Sequence, residues 1–170
     1  GGIAFLGTNA ELSDVTVSNN SAGGAAGIFT AASKVKMTNC TITENTVTGG
    51  NGGGAQFSSD SDIVMDDCTI TKNTAVNAGG LYLYAAAGKT CSAVIKNTLI
   101  SLNTATTNHG AMWVRDDSGS HLLSASFEDC TFSENNAKQS AVAQCINAEV
   151  RFESCSFINN TGTANGSIMT

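Results

Sequence analysis

The amino-acid sequence predicts an all-β fold, a right-handed parallel β-helix in which about six coils each contain three short strands. Three observations predict this solenoid: a hexapeptide recurs six times, an alternating apolar segment precedes each copy, and a glycine-led segment opens most coils. Nothing in the chain has the period of a long amphipathic helix. Parallel strands without crossover helices can pair only if the chain winds around one axis.

The hexapeptide reads apolar, Thr or Ser, apolar, two variable residues and Asn. Its six copies occupy residues 15–20, 40–45, 68–73, 98–103, 130–135 and 155–160. Their spacing of 25 to 32 residues is typical of one solenoid coil per repeat. The third residue of each copy should point inward and stack about 4.8 Å from its neighbours along the axis. These residues are Val17, Ile42, Ile70, Ile100, Phe132 and Phe157.

The other two strands of each coil come before the hexapeptide. One is predicted from apolar residues five and three positions ahead of it, as in Val35 with Met37, which gives the period of two expected of a strand. The glycine-led strand is aligned at Gly24-Ala25, Gly54-Ala55, Gly80-Leu81 and Gly110-Ala111. This alignment predicts that Leu81, Leu83, Ala111 and Trp113 point inward. It predicts an outward apolar face for lateral protein contact or sugar stacking, formed by Tyr82, Tyr84, Met112, Val114 and Val142.

Two motifs relate the chain to a known repeat. Residues 132–135 and 157–160 fit a Phe-x-x-Asn motif, residues 42–45 and 70–73 fit it with Ile in place of Phe, and the glycine segments fit a Gly-Gly-Ala-Ile-like motif. In these motifs the chain resembles the repeat of the chlamydial polymorphic outer-membrane proteins over nearly all of its length. The resemblance implies a secreted, right-handed β-helical surface protein, and it implies no activity.

Charge and composition exclude several classes of function. The chain has 8 Lys and Arg against 14 Asp and Glu, so it lacks the basic surface that nucleic acids and anionic membranes require. No segment approaches the roughly 18 apolar residues of a membrane-spanning helix. The chain begins Gly1-Gly2-Ile3, without an initiator Met or a signal peptide. We expect residues 1–170 to be a single β-helix segment, excerpted from a longer surface protein or filament subunit.

Two columns of side chains should serve the coil itself, because they recur along the solenoid. The last hexapeptide residue predicts an asparagine ladder, in which each Asn adopts a left-handed turn conformation and its amide bonds the Asn of the next coil. Its members are Asn20, Asn45, Asn73, Asn103, Asn135 and Asn160. The first hexapeptide residue predicts a buried cysteine ladder, with Val15 and Thr98 in the same slot. Its members are Cys40, Cys68, Cys130 and Cys155.

The oxidation state of these cysteines is open at this stage. The ladder fits stacked thiols, and it also fits disulfides that join Cys40 to Cys68 and Cys130 to Cys155, although parallel side chains approach disulfide geometry poorly. Cys91 and Cys145 have no partner at an equivalent position. No C-x-x-C sequence occurs, so a structural zinc is not expected. No other metal and no cofactor is predicted.

Candidate catalytic groups are few, and the chain is predicted not to be an enzyme. The acidic candidates are Asp60, Asp62, Asp66, Asp67, Asp116 and Asp117. Neighbouring residues of a strand point to opposite faces, so adjacent aspartates do not make a catalytic pair. The one suggestive cluster is His109, Arg115, Asp116 and Asp117 near Trp113, and Asp116-Asp117-Ser118-Gly119 reads as a turn.

The sequence favours a non-enzymatic extracellular or cell-surface scaffold: a rigid stalk, an adhesin or a filament segment that contacts proteins or glycans. Its partners would be further β-helix coils, end-to-end or lateral protein partners, or surface glycans. The alternatives are a carbohydrate-active lyase or hydrolase and an ice-binding protein that uses the outward Thr rows. Four Asn-x-Ser/Thr sequons, about the number expected by chance, are candidates for N-glycosylation: Asn19, Asn39, Asn159 and Asn165.

Overall fold

The computed structural model describes residues 1–163, which wind into a parallel β-helix. Coil 1 contains β1 (Ile3–Leu6), β2 (Asn9–Ser13), β3 (Thr16–Ser18) and β4 (Ser21–Ala22), and coil 2 contains β5 (Ile28–Ala31), β6 (Lys34–Thr38), β7 (Thr41–Thr43) and β8 (Thr46–Val47). Coil 3 contains β9 (Ala55–Phe57), β10 (Ser61–Asp66), β11 (Thr69–Thr71) and β12 (Thr74–Asn77), and coil 4 contains β13 (Leu81–Ala85), β14 (Cys91–Lys96), β15 (Leu99–Ser101) and β16 (Thr104–Asn108). Coil 5 contains β17 (Met112–Asp116), β18 (Leu123–Glu128), β19 (Thr131–Ser133) and β20 (Asn136–Ala137), and coil 6 contains β21 (Ala143–Ile146), β22 (Glu149–Glu153), β23 (Ser156–Ile158) and β24 (Thr161–Gly162).

Strands at the same place in successive coils pair in parallel, and in residues 1–163 they form four six-stranded sheets. The first sheet contains β1 and its equivalents, and the second, third and fourth sheets contain the equivalents of β2, β3 and β4. The expected count of three strands per coil is therefore wrong by one. The missing strand follows the ladder asparagine, and in coils 1, 2, 5 and 6 it has only two residues. A two-residue strand cannot show an alternating pattern in the sequence.

The core lies between the sheets and consists of side chains that stack in register. In the third sheet, Val17 pairs with Ile42, and the same column continues through Ile70, Ile100, Phe132 and Phe157. Phe132 and Phe157 stack with ring centroids 5.1 Å apart. The column is buried from coil 1 to coil 5 and half-buried at Phe157 in coil 6. Each coil therefore buries its apolar residues against identical positions of the coils beside it.

The corners between sheets are turned by single residues with positive φ. Between the second and third sheets these are Asp14, Asn39, Asp67, Asn97, Asp129 and Ser154, and between the third and fourth sheets they are Asn19, Glu44, Lys72, Leu102, Glu134 and Asn159, with φ between 47° and 58°. The left-handed residue is thus the one before each ladder asparagine, and not the ladder asparagine itself. Asn and Asp tolerate this conformation better than branched or bulky residues do.

The structure corrects the alignment of the glycine segments in coils 4 and 5. Leu81 pairs with Met112 and Tyr82 with Trp113, because the Gly80 and Leu81 N–H groups both donate to the Ala111 carbonyl. Ala111 therefore stands opposite Gly80 rather than opposite Leu81. A shift of one residue reverses every side chain of a strand.

This shift changes the predicted outward face. Met112, Val114 and Val142 are fully buried in the core, so their assignment to an outward face is wrong. Trp113, expected to point inward, lies on the outer surface beside Tyr82, and Tyr84 is also on that surface.

The glycine alignment also differs in coil 2. β5 begins at Ile28, which pairs with Ala55, so Gly27 is the equivalent of Gly54. Gly24 and Ala25 lie in the turn before it. Gly27 is required at its position because a Cβ there would collide with the Gly54 carbonyl oxygen of the next coil.

Candidate contact face

The outer surface of the first sheet carries a column of aromatic and amide side chains that runs along the solenoid axis. In register from coil 2 to coil 6 this column contains Phe29, Gln56, Tyr82, Trp113 and Gln144. Tyr84 and Arg115 lie beside it as cross-strand partners. We call these seven residues the aromatic face. Strand pairing spaces its members by about 4.8 Å per coil.

The rings at the centre of this face pack on one another. Tyr82 and Trp113 stack with centroids 5.0 Å apart and an interplanar angle of 27°, and Tyr84 lies 5.7 Å from Tyr82. The His109 ring is 5.2 Å from the Trp113 ring, and the Arg115 guanidinium lies 5.2 Å from the same ring centroid. Tyr82 is buried, which raises the pKa of its hydroxyl, whereas Trp113 and Tyr84 remain half-buried.

The charges around this face are paired. Arg115 Nε donates to Asp117 Oδ1 at 2.9 Å, and the Tyr84 hydroxyl donates to Asp117 Oδ2 at 3.4 Å. The hydrogen bond to Asp117 raises the pKa of Arg115. The guanidinium therefore remains a cation that is partnered by Asp117 and packed on the indole.

Asp116 is separated from this cluster. It is fully buried, and its carboxylate accepts hydrogen bonds from the backbone N–H groups of Ser118 and Leu123 at 2.6 and 2.9 Å. Burial acts to raise the pKa of Asp116, but these hydrogen bonds outweigh burial and leave the pKa lowered. Of the four residues expected to cluster near Trp113, the structure brings together His109, Arg115 and Asp117, and it assigns Asp116 to the turn.

A second asparagine ladder, not predicted from the sequence, flanks the aromatic face. Asn108 Nδ2 donates to Asn77 Oδ1 at 2.9 Å, and Asn77 Nδ2 donates to Asn51 Oδ1 at 3.0 Å. The sequence carries its pattern, Asn-x-Gly-Gly or Asn-x-Gly-Ala, at residues 51–54, 77–80 and 108–111. The middle residues, Gly52, Ala78 and His109, all have positive φ.

This second ladder ends at Asn108 and leaves polar atoms without partners. The Gly79 N–H donates to the His109 carbonyl, and the Gly110 N–H donates in the same way to the Ser140 carbonyl. Ser140 is therefore the equivalent of His109 in coil 5, and Gln139 is the equivalent of Asn108. Among residues 1–163, three buried atoms at this corner have no hydrogen-bond partner: Asn108 Oδ1, His109 Nδ1 and Trp113 Nε1. The His109 residue is only 2% exposed, and burial lowers its pKa to about 4, so its imidazole is neutral at pH 7.

The first asparagine ladder is built from repeated hydrogen bonds. Both the backbone N–H and Nδ2 of Asn73 donate to Asn103 Oδ1 at 3.0 Å, and its Nδ2 also donates to the Ile42 carbonyl. The same pattern joins the other members, Asn20, Asn45, Asn103, Asn135 and Asn160. The ladder is buried from Asn45 to Asn135. The hydrogen bonds of these amides are therefore made between the coils of the solenoid.

Comparison with protein-family models matches residues 1–168 to the family described as the right-handed β-helix region. The chain belongs to this family. The family is right-handed, and the structure has four parallel sheets. Together these findings confirm the predicted right-handed parallel β-helix. Comparisons with curated proteins and with solved structures found no match.

The cysteines of this right-handed β-helix are all free thiols. In the ladder, Cys40, Cys68, Cys130 and Cys155 direct Sγ at the carbonyl oxygen two residues earlier, at 3.3 Å in each case. Thr98 donates from its hydroxyl to the Lys96 carbonyl in the same manner, which explains why threonine fits this slot. Burial raises the pKa of Cys68 and of Cys130 to about 11 and that of Cys91 to about 12, which disfavours the reactive thiolates.

Three of the sequon asparagines lie at exposed corners of the β-helix. Asn19, Asn39 and Asn159 all have positive φ. Asn39 Nδ2 donates to Asp14 Oδ1 at 2.6 Å, so a glycan at Asn39 would have to displace that bond. Asn165 lies outside the described residues.

The other acidic candidates lie on β10 of the second sheet or in the turns directly beside it. Asp60 pairs with Lys89 at 2.7 Å, and this hydrogen bond lowers the pKa of Asp60. Asp62 accepts from the Ser92 hydroxyl and Asp66 from Asn97 Nδ2, while Asp67 turns a corner. Within residues 1–163 no group of three or more His, Cys, Asp or Glu side chains could hold a metal ion, and no helix there has the length and apolarity to cross a membrane.

Proposed function

We propose that this β-helix is a non-enzymatic extracellular scaffold, a segment of a surface stalk, adhesin or appendage like the chlamydial polymorphic outer-membrane proteins that its repeat resembles. Its work is to hold the aromatic face at a fixed place on a rigid surface for contact with a partner. Further β-helix coils or end-to-end partners would pair with the strands of coils 1 and 6. Within residues 1–163 these are the edge strands of the four sheets, and each has a neighbouring strand on one side only.

The aromatic face is the observation that carries this proposal. The ladder amides hydrogen-bond to the neighbouring coils, and the core residues pack against one another in the interior. Tyr84 and Trp113, in contrast, remain half-exposed on the outside of the solenoid, and Trp113 Nε1, Asn108 Oδ1 and His109 Nδ1 have no partner in the part of the chain that the structure describes. Partly exposed aromatic clusters of this kind mark contact surfaces more often than bare solvent-facing sheet.

The rival function is that of a carbohydrate-active enzyme, in which His109 and Asp117 would act as acid and base. Against it, both oxygens of Asp117 are bonded to neighbours, and the His109 ring is buried. The test is incubation of the protein with neutral and acidic polysaccharides, followed by measurement of new reducing ends and of unsaturated uronate. The scaffold proposal expects neither product. Turnover that is abolished by Asp117→Asn would overturn it.

Ice binding is the second candidate, and it rests on the outward Thr rows of the third sheet. Two hydroxyl rows run in register across coils 1 to 3, one through Thr16, Thr41 and Thr69 and the other through Ser18, Thr43 and Thr71, and Thr131 and Ser133 take the same positions in coil 5. Leu99 in coil 4 and Ile158 in coil 6 interrupt these rows. We expect no thermal hysteresis from the protein; hysteresis that is lost in Thr69→Leu would favour this candidate instead.

A further inference from the structure

We propose that the aromatic face binds a neutral polysaccharide chain, whose sugar rings lie along the column from Phe29 to Gln144 and whose hydroxyls satisfy the unpartnered atoms beside Trp113. The inference rests on the proposed function, since it names the partner of that contact face.

The chemistry of the unpartnered atoms favours a ligand that carries hydroxyl groups. Asn108 Oδ1 can only accept a hydrogen bond, Trp113 Nε1 can only donate one, and the neutral His109 Nδ1 can do either. A buried polar atom without a partner costs free energy, and native proteins seldom leave several of them together. A hydroxyl group donates and accepts through the same oxygen. Vicinal sugar hydroxyls therefore match this mixed set better than a carboxylate or an ammonium group does.

The shape and order of the column favour an extended ligand of repeating units. Aromatic and amide side chains follow one another along the axis from Phe29 through Gln56 and Tyr82 to Trp113 and Gln144. A ligand of repeating units lying along the axis meets the Tyr82–Trp113 ring pair with an amide on either side of it. Sugar rings present apolar C–H faces bordered by hydroxyls, which suits this combination of rings and amides, because binding sites combine apolar contact with a few placed polar groups.

The charges at the aromatic face and on the whole chain disfavour an acidic ligand. Arg115 is paired with Asp117 and packed on the indole, so it is not free to bind a uronate. The net charge of −6 opposes the approach of a polyanion. A neutral chain is therefore favoured over an acidic one.

The indole is also the reporter of binding, because Trp113 is the only tryptophan of the chain. Its Nε1 is buried although the residue is half-exposed, and Asn108 Oδ1 and His109 Nδ1 are buried as well. Hydroxyls therefore reach these atoms only if the indole, which packs on the His109 ring, turns within the site. Binding should therefore change the tryptophan fluorescence of the protein.

The test is titration of the protein with cellohexaose and xylohexaose, neutral oligosaccharides, and with hexagalacturonate, an acidic one. Fluorescence reports on the wild type, and calorimetry reports on all variants. Trp113→Gln gives position 113 the amide side chain that Gln56 and Gln144 have in the same column. Its control is Leu99→Thr, which changes a residue of the third sheet and leaves the aromatic face unaltered. His109→Gly keeps a residue that tolerates positive φ, and Ala78→Gly is its control at the equivalent corner of the coil before.

At least one neutral hexasaccharide should bind, at least tenfold more tightly than hexagalacturonate. Trp113→Gln should weaken this binding by tenfold or more and His109→Gly by threefold or more, with the two controls unchanged and all circular dichroism spectra alike.

No neutral binding, equal or tighter binding of hexagalacturonate, or full binding by folded Trp113→Gln would overturn the inference. So would a dimer of the wild type that Trp113→Gln dissociates, because the face would then be a protein interface. Cleavage of a bound oligosaccharide would overturn the scaffold proposal and leave the binding inference standing. Absence of both binding and cleavage would overturn the binding inference and leave the scaffold proposal standing.

Discussion

Removal of one buried ladder amide should destabilise the protein far more than removal of the same amide at the first coil. Asn73→Ala deletes four side-chain hydrogen bonds, two that Asn73 Oδ1 accepts from Asn45 and two that its Nδ2 donates to Ile42 and Asn103. All of these groups lie in the interior, and water cannot replace the lost partner there. At about 1 kcal/mol for each hydrogen bond, the free energy of unfolding should fall by about 4 kcal/mol.

Asn20→Ala is the matched control at coil 1. The Asn20 side chain makes two hydrogen bonds, to the Ser18 carbonyl and to Asn45 Oδ1, and it is half-buried. Water can reach the groups that this substitution exposes, so we expect a loss of about 1 to 2 kcal/mol.

The assay is urea unfolding followed by far-ultraviolet circular dichroism, with midpoints compared at a common m-value. A solenoid can unfold coil by coil, so a broadened transition for Asn73→Ala would still report loss of the central coil. The reasoning is refuted if Asn73→Ala costs less than about 1 kcal/mol or no more than Asn20→Ala does, since the ladder would then not stabilise the coil.

Three further predictions concern single residues. Leu102→Gly should raise the free energy of unfolding by about 1 kcal/mol in the same urea assay, because Leu102 holds a φ of 56° that costs a branched side chain strain; no gain would contradict this. The pKa of His109 is lowered by burial from 6.5 to about 4, so the contribution of His109 to stability should be constant above pH 6.5 and should fall between pH 6.5 and 4, where only the unfolded chain gains the proton; a flat urea midpoint over that interval would count against it. Cys68 and Cys130 are buried, which raises the pKa of both thiols to about 11, whereas Cys155 is only half-buried, so Cys68 and Cys130 should react with an aromatic disulfide reagent at pH 8 far more slowly than the more accessible Cys155, and mass mapping of the labelled peptides checks the order.

The parts of the fold that could be predicted from sequence are those that repeat with a side-chain pattern of their own. The third-sheet column and the asparagine ladder recur once per hexapeptide, so both could be aligned without the structure. The fourth strand was missed because two residues such as Thr46 and Val47 carry no period. Its position follows only from the closure of the coil.

The candidate site could be predicted only in part, for a related reason. Its outward tyrosines were found, but one shift of register exchanged Met112 for Trp113, because Ala111 takes the place of a glycine. Small residues at a tight corner are interchangeable in sequence and fix the register only in three dimensions. The Asn-x-Gly pattern that ends at Asn108 is visible in the sequence, whereas its unpartnered atoms depend on the coil above it.

The most direct test of the central claim is a crystal structure of the protein soaked with the neutral hexasaccharide that binds best in solution. The account predicts sugar density along the outer surface of the first sheet, with a hydroxyl within hydrogen-bond distance of Trp113 Nε1 and the glycosidic bonds intact. Density on another sheet, a cleaved oligosaccharide, or a Trp113 side chain inside the core would contradict it.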